Sequence, residues 1–533
     1  MEHKSISELD EQAQAILAPL LERKALGETI SPRERMAIPA QGMPTQDAIA
    51  RGKNMGEVAL GYSEAQARLE AERCLLCKNS PCMNGCPVMV SIPRFIAEIQ
   101  KGDFQAALDV IRGTNLLPAV CGRVCPQEKQ CQLGCTMGKS LKDTEKAVSI
   151  GRLERFVADW EAAHKKAGKP PVKKSTGKKI AVVGSGPAGL TVAAELARDG
   201  HEVTIFEALH KTGGVMVYGI PEFRLPKSIV SAEVDVLKSM GVKIETNFLV
   251  GRTCSIADLL AKDNFDAVFI GTGAGLPKFL GCPGENLVGV YSANEYLTRA
   301  NLMKAYDFDK AATPLYRPGI AAVIGGGNVA MDAARMALRL GAREVHVIYR
   351  RTREEMPARA EEITHAMEEG IIFDFLRNPV KFYGDAEGRV GGIELQNFEL
   401  GEADNSGRRS PVPIANSGYN FDCDTVIVAL GNESNPLISQ TTEGLSVDKR
   451  GRIIVNAVQK TSLDAVYAGG DIVLGAATVI LAMGEGRKAA AAINELFSRE
   501  MCQPENVLAA NPEGVKLPAL DTSIGSQKQN DNK

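Results

Sequence analysis

The sequence predicts an α/β fold: a helical, cysteine-rich N-terminal domain followed by two Rossmann-like domains, the second inserted in the first. Three observations predict it. Eight of the twelve cysteines crowd between Cys74 and Cys135, in a region of helical apolar spacing. Downstream, the apolar run KIAVVG ends at Gly184 and opens into a glycine loop, the helix AGLTVAAELARDG and the strand HEVTIFE. The same order recurs where IAAVIG ends at Gly325, with GGNVAMDAARMALRLG and EVHVIYRR behind it.

Taken in order, ISELDEQAQAILAPLLERKAL reads as a helix, and SPRERMAIPAQGMPTQ, rich in turn formers, as a stretch extended over another surface. Between the two cysteine runs, Ile92, Phe95, Ile96 and Ile99, then Phe104, Ala107, Leu108 and Ile111, recur at helical spacing and read as core faces. VSIGRLERFVADWEAAH is a further helix, and the Lys, Pro and Gly content that follows marks an exposed linker. The expected domains are an N-terminal extension (1–45), a helical domain (46–163), the linker (164–178), a dinucleotide domain in two parts (179–285 and 437–500) around a second (286–436), and a polar tail (501–533).

The cysteine runs are Cys74, Cys77, Cys82, Cys86 and Cys121, Cys125, Cys131, Cys135. Two [4Fe-4S] clusters need about eight ligands, nearly all of them soft, strongly donating thiolates. Pro87 and Pro126 each follow a cysteine, as in bacterial ferredoxins, where the Cys-Pro cysteine serves the other cluster; ligands shared between the runs are therefore expected. Structural zinc and disulfides are the competing readings. Zinc usually pairs two C-x2-C knuckles, whereas here one such pair is followed by wider spacings. Disulfides do not suit the reducing cytoplasm expected for a chain whose first residues, MEHKSISELDEQAQ, are polar and charged. Cys254, Cys282, Cys423 and Cys502 are scattered and read as ordinary thiols.

In GSGPAGL, Gly184 permits a tight turn, Gly186 lets a pyrophosphate approach the backbone, and Gly189 allows close helix packing. Glu207 closes the second strand, where its carboxylate can accept from a ribose 2′-hydroxyl. Far downstream, VYAGGDI and VLGAATVILAMGEGRKAA resemble the second flavin-contacting motif of two-dinucleotide flavoproteins. That resemblance implies FAD, with Gly470 and Asp471 at the ribityl chain and a helix beginning near Thr478 whose positive end faces the ring. Gly213, Gly214 and GIPEFRLP accompany it. The second loop has Gly325, Gly327 and Asn328, with Ala330 at the third glycine position. Its second strand ends in Arg350 and Arg351 instead of an acid, which favours the 2′-phosphate of NADP(H); solvent-facing arginines are the alternative, since Arg353 continues the run. DAVFIGTGA and DTVIVALGNESNP look like the two crossings between such domains. No C-x-x-C lies in either domain, which argues against dithiol chemistry of the thioredoxin-reductase type.

A net charge of −3, with 24% charged residues, argues against a nucleic-acid partner. No stretch approaches the roughly 20 apolar residues of a membrane span, so a soluble protein is expected, reaching a membrane only through another subunit.

Together CLLCKNSPCMNGCP, LPAVCGRVCPQEKQC, GSGPAGL, GIPEFRLPK, GGGNVAMD and VYAGGD resemble the small subunit of NADPH-dependent glutamate synthase and its relatives. Those relatives include the NADP-binding subunit of electron-bifurcating NADH-dependent ferredoxin:NADP oxidoreductases and the N-terminal half of dihydropyrimidine dehydrogenase. The resemblance runs from about residue 40 to 500. It implies one cluster on Cys74, Cys77, Cys82 and Cys135, and another on Cys86, Cys125 and Cys131, with Glu154 or Cys121 as its fourth ligand. It implies hydride exchange between NADP(H) and FAD, and single electrons passed between FAD and the clusters, with no general acid or base; the six histidines show no ligand spacing. A larger partner subunit in a hetero-oligomer is expected, either a glutamate synthase large chain or an NAD- or ferredoxin-linked flavoprotein of a transhydrogenase. A non-catalytic assembly scaffold is the remaining alternative.

Overall fold

The computed structural model describes residues 5–164, 170–403 and 409–501. The polar tail expected beyond residue 501, Cys502 included, lies outside them, as do residues 165–169 of the linker.

The N-terminal helix Ile6–Ala25 starts at a reciprocal cap between Ser5 and Glu8. Its Ala13 and Leu17 pack with Ile38, Ala65 and Leu69, the last two from the helix Glu64–Glu72. The stretch expected to be extended contains a second short helix, Pro32–Ala37. The reason is local: Ser31 and Glu34 cap each other, and Pro32 occupies the first helical position, where its missing N–H costs nothing.

Helices Ile92–Lys101 and Phe104–Arg112 meet at Gly102, whose φ of 84° makes the sharp reversal, and Asp103 caps the second by accepting from the Ala106 amide. All eight apolar residues expected on their core faces are buried. The helix Ile150–His164 crosses Pro118–Val124 so closely at Gly122 that a Cβ there would lie 2.6 Å from the Arg155 amide nitrogen.

The first dinucleotide domain is a five-stranded parallel sheet with spatial order 466–468, 267–270, 179–183, 202–206, 243–245. The second has the order 290–292, 425–428, 320–324, 344–349, 372–375, also all parallel. Each sheet changes winding direction beside its glycine loop, which is where open α/β sheets bind ligands. The two crossings seen in the sequence pair with each other as a small antiparallel ribbon, Asn432 against Pro277 and Glu433 against Leu276. The second domain also carries an antiparallel sheet built from Arg377–Gly384, Val390–Ala403, Arg409–Pro413 and Tyr419–Asp422, which the sequence reading did not single out. Among the described residues, no helix is long and apolar enough to cross a membrane.

One apolar core runs without a break from the cysteine region (Phe95, Leu108, Val120, Leu153) into the first sheet (Ile180, Ile205) and the helix Val479–Met501 (Met483, Ile493). The other junction is charged. Glu369, with a fully buried side chain, accepts from Arg51 of the short helix 48–51 at 3.1 Å, and from Arg335 and Arg339 of the helix Asn328–Arg339 at 2.7 and 2.8 Å. Arg335 and Arg339 also stack over the Phe223 ring, at 4.8 and 3.8 Å from its centroid. Glu369→Gln leaves Arg339 buried without its anion and takes one of two carboxylates from Arg51 and Arg335, so we expect a loss of about 3–5 kcal/mol of stability. Urea denaturation followed by circular dichroism measures it.

Candidate functional site

The chain enters the first cysteine run through a buried polar clamp. Arg73 pairs with Glu70 at 2.6 Å and donates to the carbonyls of Ile38, Lys146 and Ala147, while Glu70 accepts from the amides of Gln41 and Ser149. Cys74 is thereby tied to the loop that leaves the second run. The two runs then interleave at glycines: a Cβ on Gly85 would lie 2.4 Å from the Gln130 carbonyl, and one on Gly134 would lie 2.6 Å from that of Pro81.

This interleaving sorts the cysteines into two sets. Cys74, Cys77, Cys82 and Cys135 line one cavity of about 360 Å3 of empty volume. Burial pushes the Cys74 thiol up to about 12, with Cys135, Cys82 and Cys77 adding to the rise. Cys82 is pushed up to about 11, again chiefly by burial. Cys77 Sγ lies 3.3 Å from Thr136 Oγ1. In the second set, burial raises Cys131, followed by the influence of Cys125, Glu154 and Cys86. Glu154 is raised to about 8 by burial, opposed by a hydrogen bond from Asn115 Nδ2 at 2.6 Å. Cys121 borders the same set: contact with the Cys125 thiol and burial push it up, and its Sγ lies 3.7 Å from Asn115 Oδ1 and 3.6 Å from Met483 Sδ.

Among the described residues, no group of three or more His, Cys, Asp or Glu side chains closes around a single ion. Four thiolates around an iron–sulfur cube stand further apart than ligands of one ion do. The donor chemistry fits that larger group, because bound metal holds a coordinating thiol deprotonated and offsets the burial that raises Cys74, Cys82 and Cys131.

The first glycine loop is tight where it must turn and open where a ligand would approach. A Cβ on Gly184 would lie 2.6 Å from the Gly271 carbonyl across the switch point, and one on Gly189 would lie 2.0 Å from that of Gly184. Nothing lies within 4 Å of such a position on Gly186. Glu207 is buried and accepts from the amides of Ser185 and Leu209 at 2.9 and 2.8 Å, and from the Ser185 hydroxyl. Gly214 packs on Gly186, and Gly470 on Ala188, so the distant glycine pairs converge on this loop. Burial raises Asp471 to about 6, and Asp471 adds to the burial that pushes up the neighbouring Tyr218. Thr478 Oγ1 accepts from the Leu481 amide at 3.3 Å, capping the helix that begins at Val479.

In the second loop, Gly325 (φ 141°) meets the Ala429 carbonyl, and Gly327 stands open apart from Pro357. Asn328 Oδ1 accepts from the Arg359 amide at 2.9 Å, so the chain after the second strand folds back beside the loop. The two strand-end arginines differ: Arg350 is exposed, whereas Arg351 is buried with its Nε donating to the Arg409 carbonyl at 2.9 Å.

Asn115, Thr136 and Met483 escaped sequence reading. No spacing ties them to the cysteines, and only packing does. The second cysteine set lies directly on the helix Val479–Met501: Cys121 touches Met483, Gln130 Nε2 is 3.5 Å from Thr478 Oγ1, and a Cβ on Gly484 would lie 3.0 Å from the Pro87 carbonyl.

Two family models match the chain: dihydropyrimidine dehydrogenase domain II, 4Fe-4S cluster, over residues 51–166, and pyridine nucleotide-disulphide oxidoreductase over residues 178–495. The chain is 37% identical over 444 residues to the glutamate synthase [NADPH] small chain of Escherichia coli, covering 81% of this chain and 92% of that one. It is 36% identical over 482 residues to the corresponding chain of Azospirillum brasilense, covering 88% and 97%. It is 38% identical over 473 residues to the NADP(+)-dependent formate dehydrogenase subunit beta of Moorella thermoacetica, covering 84% of this chain but spanning only 64% of that longer relative. Mycobacterium tuberculosis FprA in complex with NADPH shares the fold, with a TM-score of 0.52 and 21% identity over 63% of this chain and 89% of that chain. The chain belongs to the pyridine nucleotide-disulphide oxidoreductase family, in the branch with an added 4Fe-4S domain that holds the glutamate synthase small chains: an oxidoreductase built for FAD, NADP(H) and [4Fe-4S] clusters.

Proposed function

We propose that this chain is the NADPH-oxidising, electron-delivering subunit of a larger complex, a glutamate synthase small chain whose partner makes glutamate from glutamine and 2-oxoglutarate. The observation that carries it is the seating of the second cysteine set on the helix Val479–Met501, which joins the iron–sulfur and flavin regions through one core. Relatives named as small or beta subunits support the larger partner. When bound, NADP(H) and FAD exchange a hydride, and a flavin can pass electrons singly to [4Fe-4S] clusters.

The chain's own residues bind and orient these groups. Gly184, Gly186 and Gly189 receive the FAD pyrophosphate at the start of the helix Pro187–Arg198, and Glu207 the ribose. Asp471 holds the ribityl chain, with Gly214 and Gly470 leaving room, and the helix capped by Thr478 turns its positive end toward the ring. Gly325, Gly327 and Asn328 receive the NADP pyrophosphate. Arg350, exposed at the strand end, takes the 2′-phosphate, while Arg351 supports it by anchoring the strand at Arg409. One cluster is held by Cys74, Cys77, Cys82 and Cys135, the other by Cys86, Cys125, Cys131 and Glu154. Glu154 is preferred to Cys121 because the Cys121 thiol also turns to Met483 on the helix Val479–Met501, although both side chains border Cys125 or Cys131 and both meet Asn115. A reducing cytoplasm as the compartment is supported by the cysteines of the described residues being unpaired with one another. The working units are 46–163, 179–285 with 437–500, and 286–436. The second reading is the NADP-binding subunit of an NAD/ferredoxin:NADP transhydrogenase.

Arg350→Glu should weaken NADPH binding by about tenfold to a hundredfold, the worth of a charge-assisted contact, while leaving NADH nearly unchanged. Equal losses for the two nucleotides, measured by stopped-flow flavin reduction, would remove the 2′-phosphate role. Cys82→Ser should lower iron content by about half, one of two clusters, with FAD retained; unchanged iron by colorimetric assay rules it out as a ligand. Anaerobic purification from the native host should bring down a large amidotransferase chain, and the complex should form glutamate from glutamine, 2-oxoglutarate and NADPH. An NAD- or ferredoxin-binding flavoprotein in its place establishes the second reading.

A further inference from the structure

Apart from the cysteine and nucleotide sites, a cavity of about 480 Å3 of empty volume, partly open to solvent, lies where the three domains meet. Six arginines line it: Arg123, Arg152 and Arg155 from the helical domain, Arg224 from the segment GIPEFRLP, and Arg335 and Arg359 from the inserted domain. It shares no lining residue with either glycine loop or with Arg350 and Arg351.

Carboxylates pair with all six guanidiniums but leave some of the donors unmet. Arg123 and Arg155 share Glu57 and Asp159, Arg224 pairs with Asp332 at 2.6 Å, and Arg335 pairs with Glu362 and Glu369. Arg152 and Arg359 divide Glu361 between them, at 3.4 and 3.0 Å. Three buried nitrogens are left without a hydrogen-bond partner: Arg224 Nε, Arg359 Nε and His365 Nδ1. Their side chains are 7%, 8% and about 7% exposed. The carboxylate oxygens nearest the two Nε atoms, on Glu362 and Glu128, stand at 3.6 and 3.7 Å, too far for a hydrogen bond.

The electrostatics agree with the geometry. Burial raises Glu361 and Glu362, yet the surrounding guanidiniums, Arg359 first for the one and Arg224 for the other, outweigh it and hold both carboxyls at about 2. Unpaired donors from two domains thus converge on a confined, partly dry space.

We propose that this cavity binds a small oxyanion of the phosphate class. Planar guanidinium forks match a tetrahedral oxyanion through paired hydrogen bonds. Arg224 Nε, Arg359 Nε and, in one tautomer, His365 Nδ1 supply the free donors, and Arg152 closes the side toward the helical domain. Because Arg359 also donates its amide to Asn328 in the second glycine loop, the bound anion bridges the iron–sulfur domain, the flavin-side segment and the nucleotide loop. The site holds whichever partner the chain serves.

The test uses the FAD- and cluster-loaded protein saturated with NADP+, which occupies the other phosphate positions. Inorganic phosphate, compared with sodium chloride at equal ionic strength, should raise Tm in a saturable way. Arg359→Gln and His365→Phe should each raise the phosphate midpoint at least fivefold. A wild-type response no greater than that to chloride, or one unchanged in both variants, overturns the site. Crystals grown with arsenate decide the question even if the variants fail to fold: an anomalous arsenic peak between Arg224 and Arg359 is expected, and its absence there overturns the proposal.

Discussion

Everything downstream in this molecule depends on the seating of the cysteine-bearing domain on the helix Val479–Met501. That helix begins at Val479, capped by Thr478, and its second turn presents Met483 to Cys121 and Gly484 to the Pro87 carbonyl. A Cβ at residue 484 would stand 3.0 Å from the Pro87 carbonyl, closer than ordinary contact, so glycine lets the two backbones approach without a shift. Single electrons cross protein readily only over short distances, so a chain that joins flavin and iron–sulfur chemistry must hold the two regions rigidly together. One continuous apolar core does this, and its residues come from both sides of the linker.

The inserted domain is attached by different means. Its junction with the N-terminal segment and with GIPEFRLP is made of buried ion pairs, Arg51 and Arg335 on Glu369 and Arg224 on Asp332, with two guanidiniums over the Phe223 ring. Buried ion pairs add little net stability compared with apolar packing, but they demand one geometry. A junction of this kind fixes orientation, whereas the apolar core between the iron–sulfur and flavin regions supplies cohesion. The arginine-lined cavity lies within that charged junction, where guanidiniums from three domains are brought together.

Much of this was legible in the sequence, because the motifs are local. The glycine loops follow their strands, the helix from Val479 starts beside Thr478, and the apolar stripes of Ile92–Lys101 and Phe104–Arg112 face inward as their spacing requires. The capping pair that makes Pro32–Ala37 helical was also present in SPRE but was masked by the surrounding turn formers. The arginines at the end of the second strand read as an equivalent pair, yet Arg351 is buried and turns to the Arg409 carbonyl of the neighbouring antiparallel sheet. Nothing in the pattern of either strand announces that contact.

The sequence by itself determined which chemistry the chain can perform. Thiolates, glycine turns and strand-end charges are defined by residue type and short spacing, and those survive in one dimension. Only the tertiary structure brought Cys74, Cys77, Cys82 and Cys135 to one cavity, set Glu154 and Cys121 beside the remaining thiols with Cys121 also touching Met483, and gathered six arginines around another cavity. These depend on close approach between segments far apart in the chain, governed by interleaving backbones at Gly85 and Gly134 and by the balance of burial against charge pairing, which no local spacing encodes.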